Sequence, residues 1–317
     1  MSSIENISNK LNNLKFPAEV LDCYRESHRY YHTTEHLLDV ISLLEKLKEF
    51  DDELFLAAVY HDAVYGPKAA DNEEKSAELF IKHSINSGLS EKQKADIKQF
   101  ILDTKTHKTN SQKSQLLINA DLNILDQPFA KLVEYEKQIF KEYQFVDYKI
   151  YKLKRLEVLN HLNNNGKLNL LIEYVKQHKP LIGVFCGSFN PFHKGHYNVL
   201  QKAEKIFDKV IIAFGKNPDK KDRSWPIPKI IQNHQMEEYS GLLTDFIDTL
   251  GQDVVVVRGL RNSTDFQYEQ NQYRYIQELM PGIKIINIFC DKEFEHISSS
   301  GIRTLEKFNK HQNYLLD

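Results

Sequence analysis

Cysteine is scarce and scattered: Cys23, Cys186 and Cys290 are the whole complement of a 317-residue chain. An odd number of widely spaced thiols offers neither a disulfide framework nor a zinc-site spacing, and it points to a reducing, cytoplasmic compartment. Long apolar runs are also missing. Nothing reaches the length that spans a bilayer, and the stretch from Met1 to Lys15 lacks the apolar core of a signal peptide. Nor is there an excess of positive charge. At a formal net charge of −2, neither nucleic acid nor an anionic membrane is an expected general partner. What remains is an ordinary globular composition, 41% hydrophobic and 27% charged, at a length comfortable for two domains.

From Ile4 to about Gln177 glycine and proline are few, and the pattern is helical throughout. Val40, Leu43, Leu44 and Leu47 recur at the three- and four-residue spacing of an amphipathic helix, as do Leu54, Ala57, Ala58 and His61. Phe129–Tyr143 and Tyr151–Leu162 read as further helices. No β-alternation precedes Leu181, so this half is expected to be all-α. Four polar islands interrupt the apolar faces: Tyr31 to His36, Tyr60 to Tyr65, Thr104 to His107 and Asn119 to Leu122. A histidine, an adjacent His-Asp pair and a distant aspartate supply imidazole and carboxylate ligands from separate helices. Such a set suits a divalent transition metal, or Mg²⁺ or Mn²⁺ where carboxylate dominates. Neighbours on a helix project about 100° apart, so His61 and Asp62 can share an ion only at a crevice between helices.

Asn163 to Lys167 reads as a helix end with a glycine cap, Leu168 to Gln177 as one more helix, and Lys179-Pro180 as its stop. Beyond Pro180 β-branched runs alternate with helical ones, which places a boundary near residue 179 and gives domains 1–179 and 180–317. Strands are expected at Val184–Phe185, Val210–Phe214, Val254–Val257 and Ile285–Phe289, with helices at Tyr197–Phe207, Leu242–Leu250 and Asp265–Leu279. That alternation argues a parallel, Rossmann-like sheet with its active groups at the strand carboxyl ends. At the first such end, Gly187-Ser188-Phe189-Asn190-Pro191-Phe192-His193-Lys194-Gly195-His196 forms a turn leading into a helix, a natural anion seat. Gly195 allows close backbone approach, and His193 and His196 can donate to phosphate oxygens. Basic segments follow later strands, Lys216 to Lys221 and Arg258-Gly259-Leu260-Arg261. Ser298, Ser299 and Ser300 stand at a last helix entrance.

The first half resembles the HD superfamily of metal-dependent phosphohydrolases, more closely a small subgroup acting on nucleotide-type phosphates. The resemblance covers roughly Phe16 to Lys167. It implies that His36, His61, Asp62 and Asp121 are metal ligands, with His32, Glu73 and His107 as candidates for phosphate contact or support. A metal-holding sensor or assembly module without turnover stays open as the alternative.

In the second half, the histidine-any-glycine-histidine motif resembles the nucleotidyltransferase superfamily. Arg258 to Glu269, with Leu279-Met280-Pro281, looks like phosphopantetheine adenylyltransferase over about Gly183 to Leu305. The resemblance implies that ATP and 4′-phosphopantetheine give dephospho-coenzyme A and pyrophosphate, with Mg²⁺ accompanying ATP. It assigns ATP contacts to Ser188, Phe189, His193, His196, Gly259, Leu260, Arg261, Glu269, Phe294, Ile297 and Ser298 to Ser300. It assigns the pantetheine substrate to Ser188, Lys220, Leu243 and Arg258, and charge stabilisation to His196, Lys220 and Arg261, expected to act as positive groups. A homo-oligomer through this domain is also implied. The chain departs from the family's usual threonine at His193 and aspartate at Asn190, and Asp222 to Glu238 is short and holds Trp225-Pro226-Ile227-Pro228. His193 is commoner among nicotinamide-mononucleotide and cytidylyl enzymes, which leaves nicotinamide mononucleotide open as the acceptor.

Overall fold

A computed structural model describes residues 3–216 and 225–316. Among these, the first part of the chain is a succession of helices: α1 (Ile4–Asn13), α2 (Thr34–Leu44), α3 (Asp52–Tyr60), α4 (Asn72–His83), α5 (Glu91–Asp103), α6 (Gln112–Asp121), α7 (Phe129–Glu142), α8 (Tyr148–Leu162) and α9 (Asn169–Gln177). Their starts are set by side chains that meet otherwise orphaned amides. Thr33 accepts from Glu35, Asp51 from Leu54 and Ser111 from Ser114, while Ser90 and Gln93 close a reciprocal capping box. Helix α3 is buried on every side from Leu54 to Tyr60, and packs against α2, α4, α5 and α6. A helix apolar all round belongs at the centre, with Leu37, Ile41, Phe80, Ile101 and Leu117 completing the core around it.

The chain divides into two compact units, Met1–Glu142 with Val158–Glu173, and Tyr143–Glu157 with Tyr174–Asp317. A single cut at residue 179 therefore misses two crossings, because residues 143–157 go with the second unit. Tyr148 packs on the apolar cluster around Val184, and polar ties add to it. Gln235 N–H donates to Gln144 O at 3.2 Å, Tyr148 Oη to His178 O at 2.6 Å, and the buried Lys209 ammonium to Val146 O. Burial pushes Lys209 down to about 8.

The second unit carries a five-stranded parallel sheet: β1 (Ile182–Gly187), β2 (Lys209–Lys216), β3 (Met236–Ser240), β4 (Val255–Leu260) and β5 (Lys284–Phe289), in spatial order β3-β2-β1-β4-β5. Helices α10 (Lys194–Glu204), α11 (Leu243–Leu250) and α12 (Ser263–Leu279) cross between strands, and α13 (Ser299–Glu306) follows β5. The chain turns back on itself between β1 and β4, the place where such sheets open a crevice at their carboxyl ends. The central strands β1 and β2 are almost wholly buried, as their unbroken apolar runs imply. Strand β3 is the element missing from the sequence expectation. It is an edge strand reading Met-Glu-Glu-Tyr-Ser, half exposed, so it needs no apolar run. Two bounds also move: α10 begins at Lys194 rather than Tyr197, and Arg258 to Leu260 lie inside β4 rather than after it.

Candidate functional sites

The carboxyl ends of the sheet open on a cavity of about 930 Å³, within the usual size of a small-molecule site. Ser188 after β1, Lys216 of β2, Gly259 and Leu260 of β4, Cys290 after β5 and Ser298 to Ser300 contribute walls. The turn after β1 is shaped from beneath. A Cβ at Gly187 would stand 2.7 Å from the Phe189 ring, which is buried among Phe185, Phe192, Phe214 and His196 with Phe189 at φ +43°. Only glycine lets that ring fold back under the turn. From the other side Ser299 Oγ donates to Pro191 O at 3.0 Å, and Arg303 donates to Asn190 O.

At the start of α10 the two histidines cap each other. His196 N–H donates to His193 Nδ1 at 3.4 Å, His193 N–H donates to His196 Nδ1 at 3.3 Å, and the rings stack at 3.6 Å. Because each Nδ1 is an acceptor, the proton of each neutral ring sits on Nε2. Burial, then the neighbouring Arg261, pushes His193 down to about 4. Burial, then His193 and Arg261, pushes His196 well below the usual histidine range. At neutral pH both are uncharged. His196 thus departs from the expected positive group: it is a neutral Nε2–H donor, and the permanent charge nearby belongs to arginine.

Those arginines are not bare. Arg258 Nε and Nη2 donate to Glu269 at 2.7 and 2.6 Å, and Arg261 Nε and Nη2 donate to Asp265 at 2.8 and 2.9 Å. Of the residues singled out from sequence, Ser188, His193, His196, Gly259, Leu260, Arg261, Glu269, Ile297, Ser298, Ser299 and Ser300 line the one cavity. Phe189, Leu243, Arg258 and Phe294 do not. Phe189 lies under the turn, Leu243 packs on the apolar cluster around Phe246 and Ile247, and Arg258 is turned to Glu269 and Cys186 O. Lys220 lies outside the described residues. Asp265, Tyr268 and Glu238 line the cavity without having been singled out. Asp265 was findable, standing four residues after Arg261 at helical pairing distance.

In the first unit His36, His61, Asp62 and Asp121 each turn a ligand atom to a common point, all four within 4.8 Å of one another. His36 comes from α2, Asp121 from the end of α6, and His61-Asp62 from the turn that ends α3. His61 Nδ1–H donates to Ala58 O at 2.8 Å, which turns Nε2 to Asp62 Oδ2 at 3.1 Å. His36 Nε2 lies 3.2 Å from Asp121 Oδ1. Both Nε2 atoms are buried, and neither has a hydrogen-bond partner among the described residues. Burial opposes charge on His61, but Asp62 and Asp121 outweigh it and push the ring well up. The histidines hold both carboxyls well below the usual range. Two imidazole nitrogens and two ionised carboxylates converging on one point fit a divalent cation, which would take the place of the proton on His61.

Beside this cluster, Glu142 takes five donors. Its Oε1 accepts from the amides of Tyr30, Tyr31 and His32 at 2.8, 2.8 and 3.0 Å, and its Oε2 from His32 Nδ1 and Tyr65 Oη at 2.7 Å each. Burial opposes ionisation of Glu142, but His32 and these hydrogen bonds outweigh it and bring it to about 2. The Arg29 guanidinium donates to the carbonyls of His32, Asp62 and Ala63.

A family profile described as cytidylyltransferase-like matches residues 184–305. With the parallel sheet and the histidine-capped turn at its switch point, this makes the second unit a nucleotidyltransferase domain. Similar proteins include phosphopantetheine adenylyltransferases of Clostridium botulinum (33% identical over 134 residues, 39% of this chain and 81% of the relative) and Mycoplasma capricolum (33% over 138 residues, 41% and 99%). That of Cytophaga hutchinsonii is 34% identical over 137 residues, 40% of this chain and 91% of the relative. Through this region the chain belongs to the phosphopantetheine adenylyltransferase family. Helices α1 to α9 precede the profile match.

Proposed function

We propose that the second unit transfers the adenylyl group of ATP to 4′-phosphopantetheine, giving dephospho-coenzyme A and pyrophosphate, a step of coenzyme A biosynthesis. The supporting observation is the single cavity that His196, Arg261 and the serines at the entrance of α13 line together. An acceptor phosphate oxygen attacks the α-phosphorus of ATP as the bond to the departing pyrophosphate breaks, so no side-chain nucleophile is needed. The protein aligns the two phosphate-bearing molecules and stabilises charge on the equatorial oxygens. In this reading His196 donates from Nε2, Arg261 supplies permanent charge, and the α13 amides seat the outer phosphates. Mg²⁺ arriving with ATP would neutralise further triphosphate charge. Ser188 supports the acceptor site by its place in the cavity, while Arg258, Leu243 and Lys220 are assigned to it by resemblance alone. Pyrophosphate release with 4′-phosphopantetheine and not with nicotinamide mononucleotide is the expected result; the reverse preference overturns the assignment.

For the first unit we propose a metal-dependent phosphohydrolase of the HD type, supported by the four converging donors and the two unpaired Nε2 atoms. His36, His61, Asp62 and Asp121 would hold a transition metal, Mn²⁺ or Mg²⁺, which lowers the pKa of bound water and neutralises phosphate charge. Phosphate release from a panel of nucleotides and coenzyme A intermediates with Mn²⁺, Fe²⁺ or Mg²⁺, abolished in Asp62→Ala, is the expected outcome. Metal uptake with no turnover on any of them supports a sensor or assembly module instead.

Self-association through the transferase unit is also proposed. Helix α12 buries none of its residues and exposes Phe266, Tyr268, Tyr275 and Leu279. Light scattering that returns a monomer mass at micromolar concentration counts against it.

A further inference from the structure

We infer that His32 is a phosphate-contacting residue beside the four-donor cluster, and that Glu142 is the residue that positions it. This rests on reading that cluster as a metal site. The His32 ring stands edge-on to the His36 ring at 5.8 Å, so it borders the point where the four donors meet. It is fixed in two directions. Nδ1 is tied to Glu142 Oε2 at 2.7 Å, and the ring lies on the face of Tyr65 at 4.2 Å and 28°. The remaining nitrogen, Nε2, has no hydrogen bond among the described residues, and the His32 side chain keeps 20% of its surface open while that of Glu142 is wholly buried.

That division of labour distinguishes His32 from a histidine serving packing. A carboxylate taken out of water is costly unless its lone pairs are met, and five donors are gathered to meet those of Glu142. The structure thereby stiffens a ring whose outer nitrogen makes no hydrogen bond among the described residues. His61, by contrast, spends Nδ1 on Ala58 O and turns Nε2 to the cluster itself. With Nδ1 held by Glu142, Nε2 is the ring nitrogen left to meet an oxygen ligand.

The charges nearby select that ligand. Asp62 and Asp121 repel a bare anion, so an oxyanion is welcome only once a cation fills the cluster. A phosphate oxygen bridging toward that cation from the His32 side meets both conditions. Phosphate binding here should therefore depend on the metal.

The test is titration of inorganic phosphate into the full chain loaded with Mn²⁺, followed by calorimetry. Asp121→Ala serves as the baseline that subtracts phosphate taken up by the cavity of the second unit. The expected result is a Mn²⁺-dependent phosphate affinity that falls at least about 10-fold in His32→Ala, the loss of one hydrogen bond to a charged group. His32→Gln, which keeps a donor near the Nε2 position, recovers part of it, and Glu142→Gln loses part of it, while Mn²⁺ affinity stays at the wild-type value in all three. Phosphate affinity unchanged in His32→Ala, or absent in the wild type, overturns the inference and leaves the metal reading standing. Mn²⁺ affinity falling together with phosphate affinity makes His32 a metal-site residue and overturns it as well. A wild-type chain that takes up no Mn²⁺ sinks the metal reading itself.

Discussion

The two units hold histidines in opposite ways. In the first, His36 and His61 face Asp62 and Asp121; in the second, His193 and His196 face each other, with Arg261 beside them. Burial works against a charged ring in both places. Around His61 two carboxylates overcome it, whereas around His193 and His196 the nearest charge is positive and adds to it. One cluster therefore concentrates negative charge, which suits a cation, and the other keeps its rings neutral. A neutral Nε2–H can meet a phosphate oxygen without ever competing with the arginines for a carboxylate partner. The same side chain thus serves opposite chemistry, and what decides is the sign of the groups within reach.

The sharpest way to break this contrast is to remove the neutral donor. His196→Ala is expected to lower kcat for pyrophosphate release by about 10²–10³, the loss typical of a single preorganised donor to developing charge. Circular dichroism should show the fold intact. A full rate in that variant removes His196 from the mechanism. The matching cut in the other unit is Asp121→Ala, expected to weaken Mn²⁺ binding by at least about 100-fold, since even supporting partners of metal ligands are worth 10–100-fold. Pyrophosphate release should be untouched. Calorimetry returning wild-type Mn²⁺ affinity would mean that the four donors are only an acidic crevice.

Acidity sharpens the contrast next. His193 titrates near 6.5 when unfolded and at about 4 when folded, so between those values the unfolded chain takes up the proton first. Its contribution to stability is complete above pH 6.5 and declines as pH falls toward 4, reaching a loss of about 2 kcal/mol by pH 5. His193→Asn keeps an acceptor at the head of α10 and removes the titrating ring. Urea unfolding followed by the sole tryptophan, Trp225, should show the wild type losing this increment relative to the variant across that window. A constant difference from pH 7 to 5 would show that the ring is not held neutral.

How far the sequence revealed each site follows from how local its determinants are. The turn from Gly187 to His196 is one continuous stretch, so strand, turn, cap and both histidines could be read together. The four converging donors are spread from His36 to Asp121, yet each sits in a polar island on an apolar helix face, which is what made them visible. Strand β3 was hidden because an exposed edge needs no apolar signal, and the grouping of residues 143–157 with the second unit because it depends on backbone acceptors such as Val146 O. Glu142 was hidden for a third reason. It lies 110 residues from His32, and one glutamate at the end of a helix looks like any solvated charge until the five donors are seen around it.

The smallest effect asks whether those five donors act as a set. Tyr65→Phe removes one hydroxyl from Glu142 Oε2 and leaves the face on which the His32 ring lies. A hydrogen bond to a buried charge contributes about 1.5 kcal/mol or a little more, and the remaining four donors keep Glu142 ionised. The first unit should lose roughly that much stability to urea, with Mn²⁺ affinity retained. The His193–His196 pair has no carboxylate brace of this kind among the described residues, since the two rings fix each other through backbone amides of a single helix turn. Pyrophosphate release should therefore not move in Tyr65→Phe. If it falls along with the stability, the two ways of holding a histidine are not independent, and the contrast drawn between the units fails.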